Sequence, residues 1–345
     1  MSRSQRKLDH IRHALSHKRD AYNHFDDIEL IHQSLTDLHW EHLDLSTKVG
    51  ELNLSSPLFI NAMTGGGGKK TIEINQSLAR VSAQTGIGMA VGSQMAAIKD
   101  KIERPSFEIV RKENPNGVIL ANVGSEASVE QALDAVDMIK ADALQIHVNT
   151  LQELIMPEGD RDFTKRSINI ENIVRSLHIP VIIKEVGYGM SKETVDHFSS
   201  LGVTYIDVGG RGGTNFSRVE NLRREQPLSS FENWGIPTPI SLMEAGHITK
   251  NLHMLASGGI RNGLDGAKAL VLGADAFGMA GSLLRTLVEQ GEQAVVSDIH
   301  FITRELKMAM MLLGASEISS LRGKPHVTTG KTKDWIEQRS LRLKD

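Results

Sequence analysis

The chain has 345 residues, 31 of them glycine and none cysteine, and 39 basic against 42 acidic side chains leave a net charge of −3. The lack of cysteine excludes disulfides, cysteine-ligated metals and thiol nucleophiles, and the nearly balanced charge argues against nucleic-acid binding. No apolar run is long enough for a transmembrane helix, and the polar N-terminus lacks a signal-peptide core. We therefore expect a soluble, cytoplasmic protein.

Short apolar runs recur along the chain, each bounded by Gly, Pro, Asn or Asp, as is typical of buried parallel strands. They predict strands at residues 58–62, 87–91, 118–123, 143–148, 181–186, 203–208, 253–257 and 274–279. Amphipathic stretches between them predict helices at residues 74–84, 126–139, 169–177, 192–201 and 262–272. Eight such units predict an α/β fold, a (β/α)8 TIM barrel. An open doubly wound sheet is the alternative.

Three segments lie outside the repeat. Residues 1–50 form an N-terminal extension, in which a helix is expected near residues 4–16. Residues 209–240 form a Gly- and Arg-rich insertion after the sixth strand, and such long loops are usually functional or mobile. The C-terminal tail, residues 296–345, is expected to be helical to about Leu313 and irregular around residues 322–331. The chain is thus interpreted as a single TIM-barrel domain over residues 1–345, with the barrel at 57–295.

In a TIM barrel the active site lies at the carboxyl ends of the strands. The first strand is followed by Met63, Thr64 and four glycines, whose backbone can approach a planar ligand or an anion, or can act as a hinge. The order GGGGKKT does not match a P-loop. Ser93 and Asn122, after the second and third strands, can hydrogen-bond a heterocycle or cap a turn.

The fourth strand is the most informative. Side chains alternate along a strand, so Gln145, His147 and Asn149 share one face. The outer face of a barrel strand packs on apolar helices, so this polar face should point inward, where it needs partners or a ligand. Gln152 and Glu153 follow at once, and the Glu153 carboxylate could hold a hard cation such as Mg²⁺.

Lys184 lies in the otherwise apolar fifth strand, where a buried ammonium needs a negative partner. It is a candidate for stabilising negative charge on a cofactor; a surface pair with Glu185 is disfavoured because strand neighbours point to opposite faces. The loops after the seventh and eighth strands, residues 257–261 and 280–281, have the pattern that barrels use to bind the phosphate of flavin mononucleotide (FMN). Thr214 adds a hydroxyl in a glycine turn after the sixth strand. No GxGxxG follows a strand, so a Rossmann-type nicotinamide site is not expected.

These residues resemble the FMN-dependent type 2 isopentenyl-diphosphate isomerases over nearly the whole chain. The matching segments are residues 6–10, 62–66, 92–94, 145–149, 152–153, 184–187, 212–216, 257–261 and 280–281. The most specific element is His147-Val148-Asn149 followed by Gln152-Glu153, whereas other flavin barrels share the FMN loops. Met95 departs from the pattern, because some relatives place a basic residue there.

The resemblance implies reversible 1,3-allylic isomerisation of isopentenyl diphosphate to dimethylallyl diphosphate in isoprenoid biosynthesis. It implies FMN, Mg²⁺, NAD(P)H or another reductant, and a homo-oligomer, commonly an octamer or tetramer. Glu153 would hold Mg²⁺, and Gln152, His147 and Asn149 would be catalytic. The expected substrate contacts are Arg6, Lys7, Ser93, Gln94, His147, Asn149 and Gln152. The expected FMN contacts are Ala62, Met63, Thr64, Ser93, Asn122, Lys184, Thr214, Gly258, Gly259, Arg261, Ala280 and Gly281.

Isomerisation adds a proton at one alkene carbon and removes one from another, so no net electrons move. We hypothesise that reduced FMN is the acid–base at its N5/C4a edge and that Gln152 positions or shuttles the allylic proton. One alternative is an FMN-dependent 2-hydroxyacid oxidase or dehydrogenase, which would need a histidine base near the ends of the sixth and seventh strands; residues 207–215 contain Arg211 but no histidine. A second is a non-catalytic phospholigand-binding barrel. Arg6 and Lys7 could reach a diphosphate or be ordinary terminal charges.

Overall fold

The strands form one closed parallel barrel with short strands on either side of it in the chain. The computed structural model describes residues 22–63, 68–248 and 251–341. The strands are β1 (Ile28–Leu30), β2 (Thr47–Val49), β3 (Leu52–Leu54), β4 (Leu58–Ile60), β5 (Gly88–Ala90), β6 (Ile119–Gly124), β7 (Ala143–Val148), β8 (Val181–Glu185), β9 (Tyr205–Asp207), β10 (His253–Ser257), β11 (Ala276–Met279) and β12 (His326–Thr328). Strands β4 to β11 close the barrel in chain order. All eight predicted barrel strands are confirmed, and the open sheet is excluded.

Helices surround this barrel and connect its strands. They are α1 (Gly68–Thr85), α2 (Met95–Lys99), α3 (Pro105–Glu113), α4 (Val129–Ile139), α5 (Thr150–Ile155), α6 (Arg166–Ser176), α7 (Lys192–Ser200), α8 (Phe216–Asn221), α9 (Thr238–Gly246), α10 (Gly263–Val271), α11 (Gly281–Gln290), α12 (Glu292–Leu312) and α13 (Gly330–Gln338). The five predicted helices are confirmed as α1, α4, α6, α7 and α10. The insertion after the sixth barrel strand contains α8 and the start of α9, so part of it has regular secondary structure.

Side chains close the barrel at its amino-terminal end. The β2–β3 hairpin inserts Val49, Leu52 and Leu54 into an interior cluster that includes Phe59 and Tyr205. A side chain at Gly50, in the turn of this hairpin, would collide with the Tyr205 ring, and its φ of +58° also favours glycine. Since apolar packing fills this end, the carboxyl ends of the strands are where the barrel can hold a ligand.

The barrel register brings polar residues to one level near those carboxyl ends. Asn122 of β6 lies opposite Gln145 of β7, and His147 of β7 lies opposite Lys184 of β8. Lys184 lies in turn opposite Asp207 of β9. Gln145 is fully buried and donates to Asn61, which follows β4. Because β4 is not a neighbour of β7 in the barrel, this contact crosses the interior and confirms that the polar face of the fourth barrel strand points inward.

The predicted extension and tail pair with each other. Strand β1 runs antiparallel to β12, with Ile28 opposite Thr328. The Asp27 carboxylate accepts hydrogen bonds from the backbone N–H and the hydroxyl of Thr332, in α13. The prediction that residues 322–331 are irregular was therefore wrong in part, because a strand with a distant partner has little local pattern of its own. The helix expected near residues 4–16 lies outside the described residues.

Helix α12 confirms the helical prediction to about Leu313. Among the residues that the structure describes, no helix combines the length and apolar character needed to cross a bilayer.

Candidate active site

A cavity of about 520 Å³ opens at the carboxyl ends of the barrel strands, and each barrel strand or the loop that follows it contributes to the wall. Apolar and polar groups share the wall. The apolar part includes Met63, Met156, Val186, Phe216, Met279 and Leu284. This combination is typical of a site that shields reacting atoms from water while a few polar groups orient the ligand.

Most sequence-predicted site residues meet at this cavity. Those that line it are Ala62, Met63, Ser93, Asn122, His147, Asn149, Gln152, Glu153, Lys184, Thr214, Gly258, Gly259, Arg261, Ala280 and Gly281. Arg6, Lys7 and Thr64 lie outside the described residues.

Gln94 does not lie where the sequence analysis expected it. Its side chain is fully buried, donates to the Ala135 carbonyl in α4 at 2.8 Å, and accepts from the Asn122 N–H at 3.0 Å. Gln94 therefore points away from the cavity and ties β6 to α4, and the predicted substrate contact does not fit this structure. The neighbouring Met95 packs in the hydrophobic core, at 2% exposure. Four residues further on, Lys99 lines the cavity and supplies a cation on this helix.

Lys184 meets a buried partner that sequence reasoning missed. Its ammonium lies 3.3 Å from the Asp207 carboxylate and donates to the Ser257 hydroxyl at 3.3 Å and to the Glu185 carbonyl at 3.0 Å. Asp207 is fully buried. The predicted negative partner is therefore a carboxylate of the protein, and a surface pair of Lys184 with the Glu185 side chain is excluded.

The Glu185 carboxylate instead holds a loop at the cavity wall. It accepts hydrogen bonds from the backbone N–H groups of Gly187, Tyr188 and Gly189. Burial raises the pKa of Glu185 to about 7, although the N–H groups of Tyr188 and Gly187 and the nearby Lys184 charge act in the opposite direction. Gly187 lines the cavity, so this carboxylate fixes part of the site.

Gln152 is oriented by a buried acid. Its Nε2 donates to Glu220 Oε1 at 3.0 Å, and Glu220 is fully buried on α8. The other Glu220 oxygen pairs with Arg223 at 2.7 Å, and Arg223 also pairs with Glu158. Because a carboxylate can only accept hydrogen bonds, the Gln152 amide must turn its NH₂ group toward Glu220. Gln152 Oε1 therefore points away from Glu220.

Glu153 lies at the cavity mouth with its two oxygens engaged. Oε1 accepts from Asn149 Nδ2 at 2.9 Å, and Oε2 accepts from the Asp160 N–H at 2.8 Å. Within residues 22–63, 68–248 and 251–341, no three His, Asp or Glu side chains are grouped as a metal-binding cluster. A divalent cation here would therefore need oxygens from a ligand in addition to Glu153, which suits Mg²⁺ with a phosphorylated substrate.

The loops after β9, β10 and β11 form a tight backbone cradle. A Cβ on Gly258, at φ +92°, would lie 2.0 Å from the Gly210 carbonyl oxygen, and one on Gly281 would lie 3.0 Å from Thr214 Oγ1. Helix α11 begins at Gly281. This combination of closely approaching glycine backbone and a helix N-terminus suits a phosphate group.

Comparison with known proteins decides the family. The chain is 54% identical over 344 residues to an isopentenyl-diphosphate delta-isomerase from Geobacillus sp. (strain WCH70), covering 100% of this chain and 99% of the relative. It is 53% identical over 341 residues to the protein of that name from Bacillus licheniformis, with 99% and 98% coverage. The chain belongs to the isopentenyl-diphosphate delta-isomerase family.

This member of the isopentenyl-diphosphate delta-isomerase family also matches the FMN-dependent dehydrogenase model over residues 128–329. Among solved structures it resembles a flavocytochrome b2 variant with sulfite bound (TM-score 0.70, 19% identity, 98% of this chain and 88% of that one). It also resembles a lactate oxidase from Pediococcus acidilactici (TM-score 0.70, 16% identity, 95% and 93% coverage). At such identities the likeness shows the barrel fold alone.

In this isomerase-family chain, the Arg261 charge is already balanced. Its guanidinium bonds Asp265 at 2.7 Å and Asp26 at 2.5 Å. These hydrogen bonds, that to Asp265 foremost, raise the pKa of Arg261 above its ordinary value. Arg261 thus ties the phosphate cradle to the N-terminal segment, and a phosphate bound there would be met mainly by backbone N–H groups.

Sequence reasoning missed several further groups at the site. Lys99 and Arg285 add cations, and Glu126, Glu158 and Asp160 add carboxylates, to the cavity wall. Lys99 lies four residues after Met95, a helical spacing that could have drawn attention to it. The others lie on helices or loops where charged residues are common, so no local pattern distinguishes them.

Proposed function

We propose that this chain catalyses the reversible isomerisation of isopentenyl diphosphate to dimethylallyl diphosphate with FMN as its cofactor. The observation that carries the proposal is 54% identity over the full length to a relative of that name. The cavity supports it, because it joins a phosphate cradle, a row of polar side chains and apolar walls. Such a site can hold a charged diphosphate while keeping water from an alkene.

FMN fits the residues present. The backbone at Gly258, Gly259, Ala280 and Gly281 would hold its phosphate, in the cradle that a Cβ at Gly258 would fill. The other residues expected to contact it are Ala62, Met63, Thr64, Ser93, Asn122, Lys184, Thr214 and Arg261. When bound in its reduced form, FMN supplies acid–base chemistry at the double bond.

For the diphosphate, we propose that Glu153 holds Mg²⁺ and that Arg6, Lys7, His147 and Asn149 contact the substrate. A single carboxylate with substrate phosphates is a usual Mg²⁺ site. Glu153 is pre-oriented for this role by Asn149 Nδ2, at 2.9 Å.

For the proton transfer, Gln152 orients or passes the allylic proton. An amide is a poor base on its own, so its contribution depends on position. Glu220 supplies that position through the 3.0 Å hydrogen bond to Gln152 Nε2. The apolar walls exclude water that would compete for the proton.

We further propose that NAD(P)H or another reductant keeps the cofactor in its reduced form. Since isomerisation itself consumes no electrons, this reductant is not used up in proportion to product. The chain would act as a homo-oligomer, an octamer or a tetramer, in the cytoplasm, as a single TIM-barrel domain.

The experiment is anaerobic incubation of the purified full-length chain with FMN, Mg²⁺, reductant and isopentenyl diphosphate, with the product followed by ¹H NMR. We expect dimethylallyl diphosphate to form without stoichiometric oxidation of the reductant. A chain that purifies yellow with FMN but never forms this product would contradict the proposal. The Gln152→Ala variant should retain FMN, measured by absorbance, and lose most of its turnover; full turnover would refute the role of Gln152.

The 2-hydroxyacid oxidase alternative gains nothing from the geometry. That chemistry also needs an arginine to bind the substrate carboxylate, and Arg211, the arginine after the sixth barrel strand, is not among the described residues that line the cavity. Its backbone N–H donates to the Ile236 carbonyl, and its guanidinium lies 3.5 Å from the His24 ring. Oxidation of lactate or glycolate by the purified chain is the result that would favour this alternative.

A further inference from the structure

A chain of three buried amides crosses the barrel between Asp207 and His147. Asn61 Nδ2 donates to Asp207 at 2.8 Å, Gln145 Nε2 donates to Asn61 Oδ1 at 3.1 Å, and Asn122 Nδ2 donates to Gln145 Oε1 at 3.2 Å. The last step joins Asn122 Oδ1 to His147 Nδ1 at 3.0 Å. We call Asn61, Gln145 and Asn122 the amide chain.

The direction of the amide chain is set at its Asp207 end. The Asp207 carboxylate faces the Lys184 ammonium at 3.3 Å and accepts from the Ser257 hydroxyl at 2.6 Å. A carboxylate in this setting only accepts hydrogen bonds, so Asn61 must present its NH₂ group to it.

A second contact fixes the same orientation of Asn61. The backbone N–H of Ala62 donates to Asn61 Oδ1 at 2.8 Å, and a backbone N–H can only donate. One partner of Asn61 can only accept a hydrogen bond and the other can only donate one. The orientation of the Asn61 amide is therefore fixed, and the flipped amide is excluded.

The orientation of Asn61 fixes which atom donates and which accepts in the remaining two amides. Asn61 presents Oδ1 to Gln145, so Gln145 must donate with Nε2 and present Oε1 to Asn122. Asn122 then donates with Nδ2 and presents Oδ1 to His147. An amide oxygen only accepts, so His147 Nδ1 must carry a hydrogen.

We propose that Asp207, acting through the amide chain, holds His147 in its Nδ1–H form. Nε2 is then the ring nitrogen at which His147 gains or loses a proton or accepts a hydrogen bond from a ligand. Asn61 and Gln145 are positioning residues, since they act on His147 through Asn122. Water cannot readily replace any link, because Asn61, Gln145, Asn122 and Asp207 are at most 2% exposed. The consequence for the substrate rests on the proposed function, but the tautomer does not.

The direct test is ¹⁵N NMR of the full-length, FMN-loaded chain labelled with [¹⁵N]histidine, in alkaline buffer where neutral imidazole predominates. The His147 signals are identified by their loss in His147→Gln. We expect a protonated Nδ1 and an unprotonated Nε2. A wild-type chain in which His147 is mainly Nε2–H would overturn the proposal without any variant.

Two substitutions at Gln145 test the direction of the chain. Gln145→Met removes the acceptor for Asn122, whose amide can then turn, and we expect a large fraction of His147 to become Nε2–H. Gln145→Glu keeps an acceptor toward Asn122 in either protonation state, so we expect the Nδ1–H form to persist. A Gln145→Met chain that folds and keeps the Nδ1–H form in full would refute the role of the amide chain.

Gln94→Met is the matched control. It is the same substitution at an equally buried glutamine. It removes the hydrogen bonds to the Ala135 carbonyl, the Asn122 backbone N–H and Met138 Sδ, none of which is a link of the amide chain. We expect the His147 tautomer to be unchanged in it. Loss of the Nδ1–H form in this control as well would mean that general loosening, and not donor order, sets the tautomer.

Activity gives a second, separate readout. With isopentenyl diphosphate as substrate, Gln145→Met should lose about tenfold in kcat/KM, the effect of one misdirected hydrogen bond, and Gln145→Glu should recover part of this loss. If the proposed function is wrong, none of the chains will turn over this substrate, but the tautomer pattern will remain. If the amide-chain proposal is wrong, wild type will be active while the tautomer pattern fails.

Discussion

The buried pair of Lys184 and Asp207 offers the most decisive test of how this site is built. Lys184→Met replaces the ammonium by an apolar group of similar length. Asp207, which is fully buried, then loses its facing cation at 3.3 Å. It keeps the hydrogen bonds donated by Asn61 Nδ2, the Ser257 hydroxyl and the Gly209 N–H.

The expected cost follows from that remaining set of donors. Removing one partner of a buried ion pair typically costs about 3–5 kcal/mol, because it leaves an uncompensated buried charge. Three retained hydrogen bonds place Lys184→Met near the lower end, at about 3 kcal/mol. Unfolding entropy is about 2.1 cal/mol/K per residue, so for 345 residues this cost corresponds to a fall in Tm of roughly 4 °C.

Thermal unfolding followed by circular dichroism, with and without FMN, measures this cost. Asp207→Asn alone should also destabilise the chain, and the double variant should recover roughly 2 kcal/mol relative to the sum of the single changes. Lys48→Met, at an exposed position of β2, is the control and should stay within about 0.5 kcal/mol of wild type. A Lys184→Met chain as stable as this control would refute the electrostatic reasoning.

The remaining predictions concern the metal, the phosphate cradle and pH. Glu153→Gln should raise the Mg²⁺ concentration needed for half-maximal isomerisation by about tenfold; an unchanged metal titration would remove Glu153 from the metal site. Gly258→Ala should weaken FMN binding at least about tenfold, read from flavin fluorescence, because its Cβ would lie 2.0 Å from the Gly210 oxygen at φ +92°. Gly246→Ala, which meets nothing within 4 Å, should bind FMN normally. For pH, burial raises the pKa of Glu185 from 4.5 to about 7, so the folded chain binds this proton more tightly than the unfolded chain. Stability from this group is therefore present below about pH 4.5 and lost as pH rises to about 7, by up to roughly 3 kcal/mol. Urea unfolding across this range should show a smaller decline in Glu185→Gln, and an identical slope would contradict the assignment.

The positions of the barrel strands and of most cavity residues follow from the amino-acid sequence. Buried parallel strands are short apolar runs between turn-forming residues, and this pattern is local. Strand alternation placed Gln145 and His147 on the inner face, and the position of a residue at a strand end placed Ser93, Thr214 and Gly258 at the barrel mouth. Full-length resemblance to one family then supplied an expected chemistry for residues that the strand pattern had already brought together.

The partners of those residues were decided only by the tertiary structure. Gln152 meets Glu220 across 68 positions of sequence, and Arg261 meets Asp26 across 235. Gln94 lies at a strand end like Ser93, yet it turns outward to the Ala135 carbonyl, because the adjoining helix α2 sets its direction. Strand β12 exists through its pairing with β1.

The physical reason is a difference in range. Burial and strand periodicity are encoded in neighbouring residues, so the sequence determines which side chains are inward and at which end of the barrel they lie. The polarity of a hydrogen-bond chain, the balance of a buried charge and the direction of a side chain at a strand end depend on groups from other elements. For that reason the His147 tautomer, the Lys184–Asp207 pair and the orientation of Gln152 are properties of the assembled barrel alone.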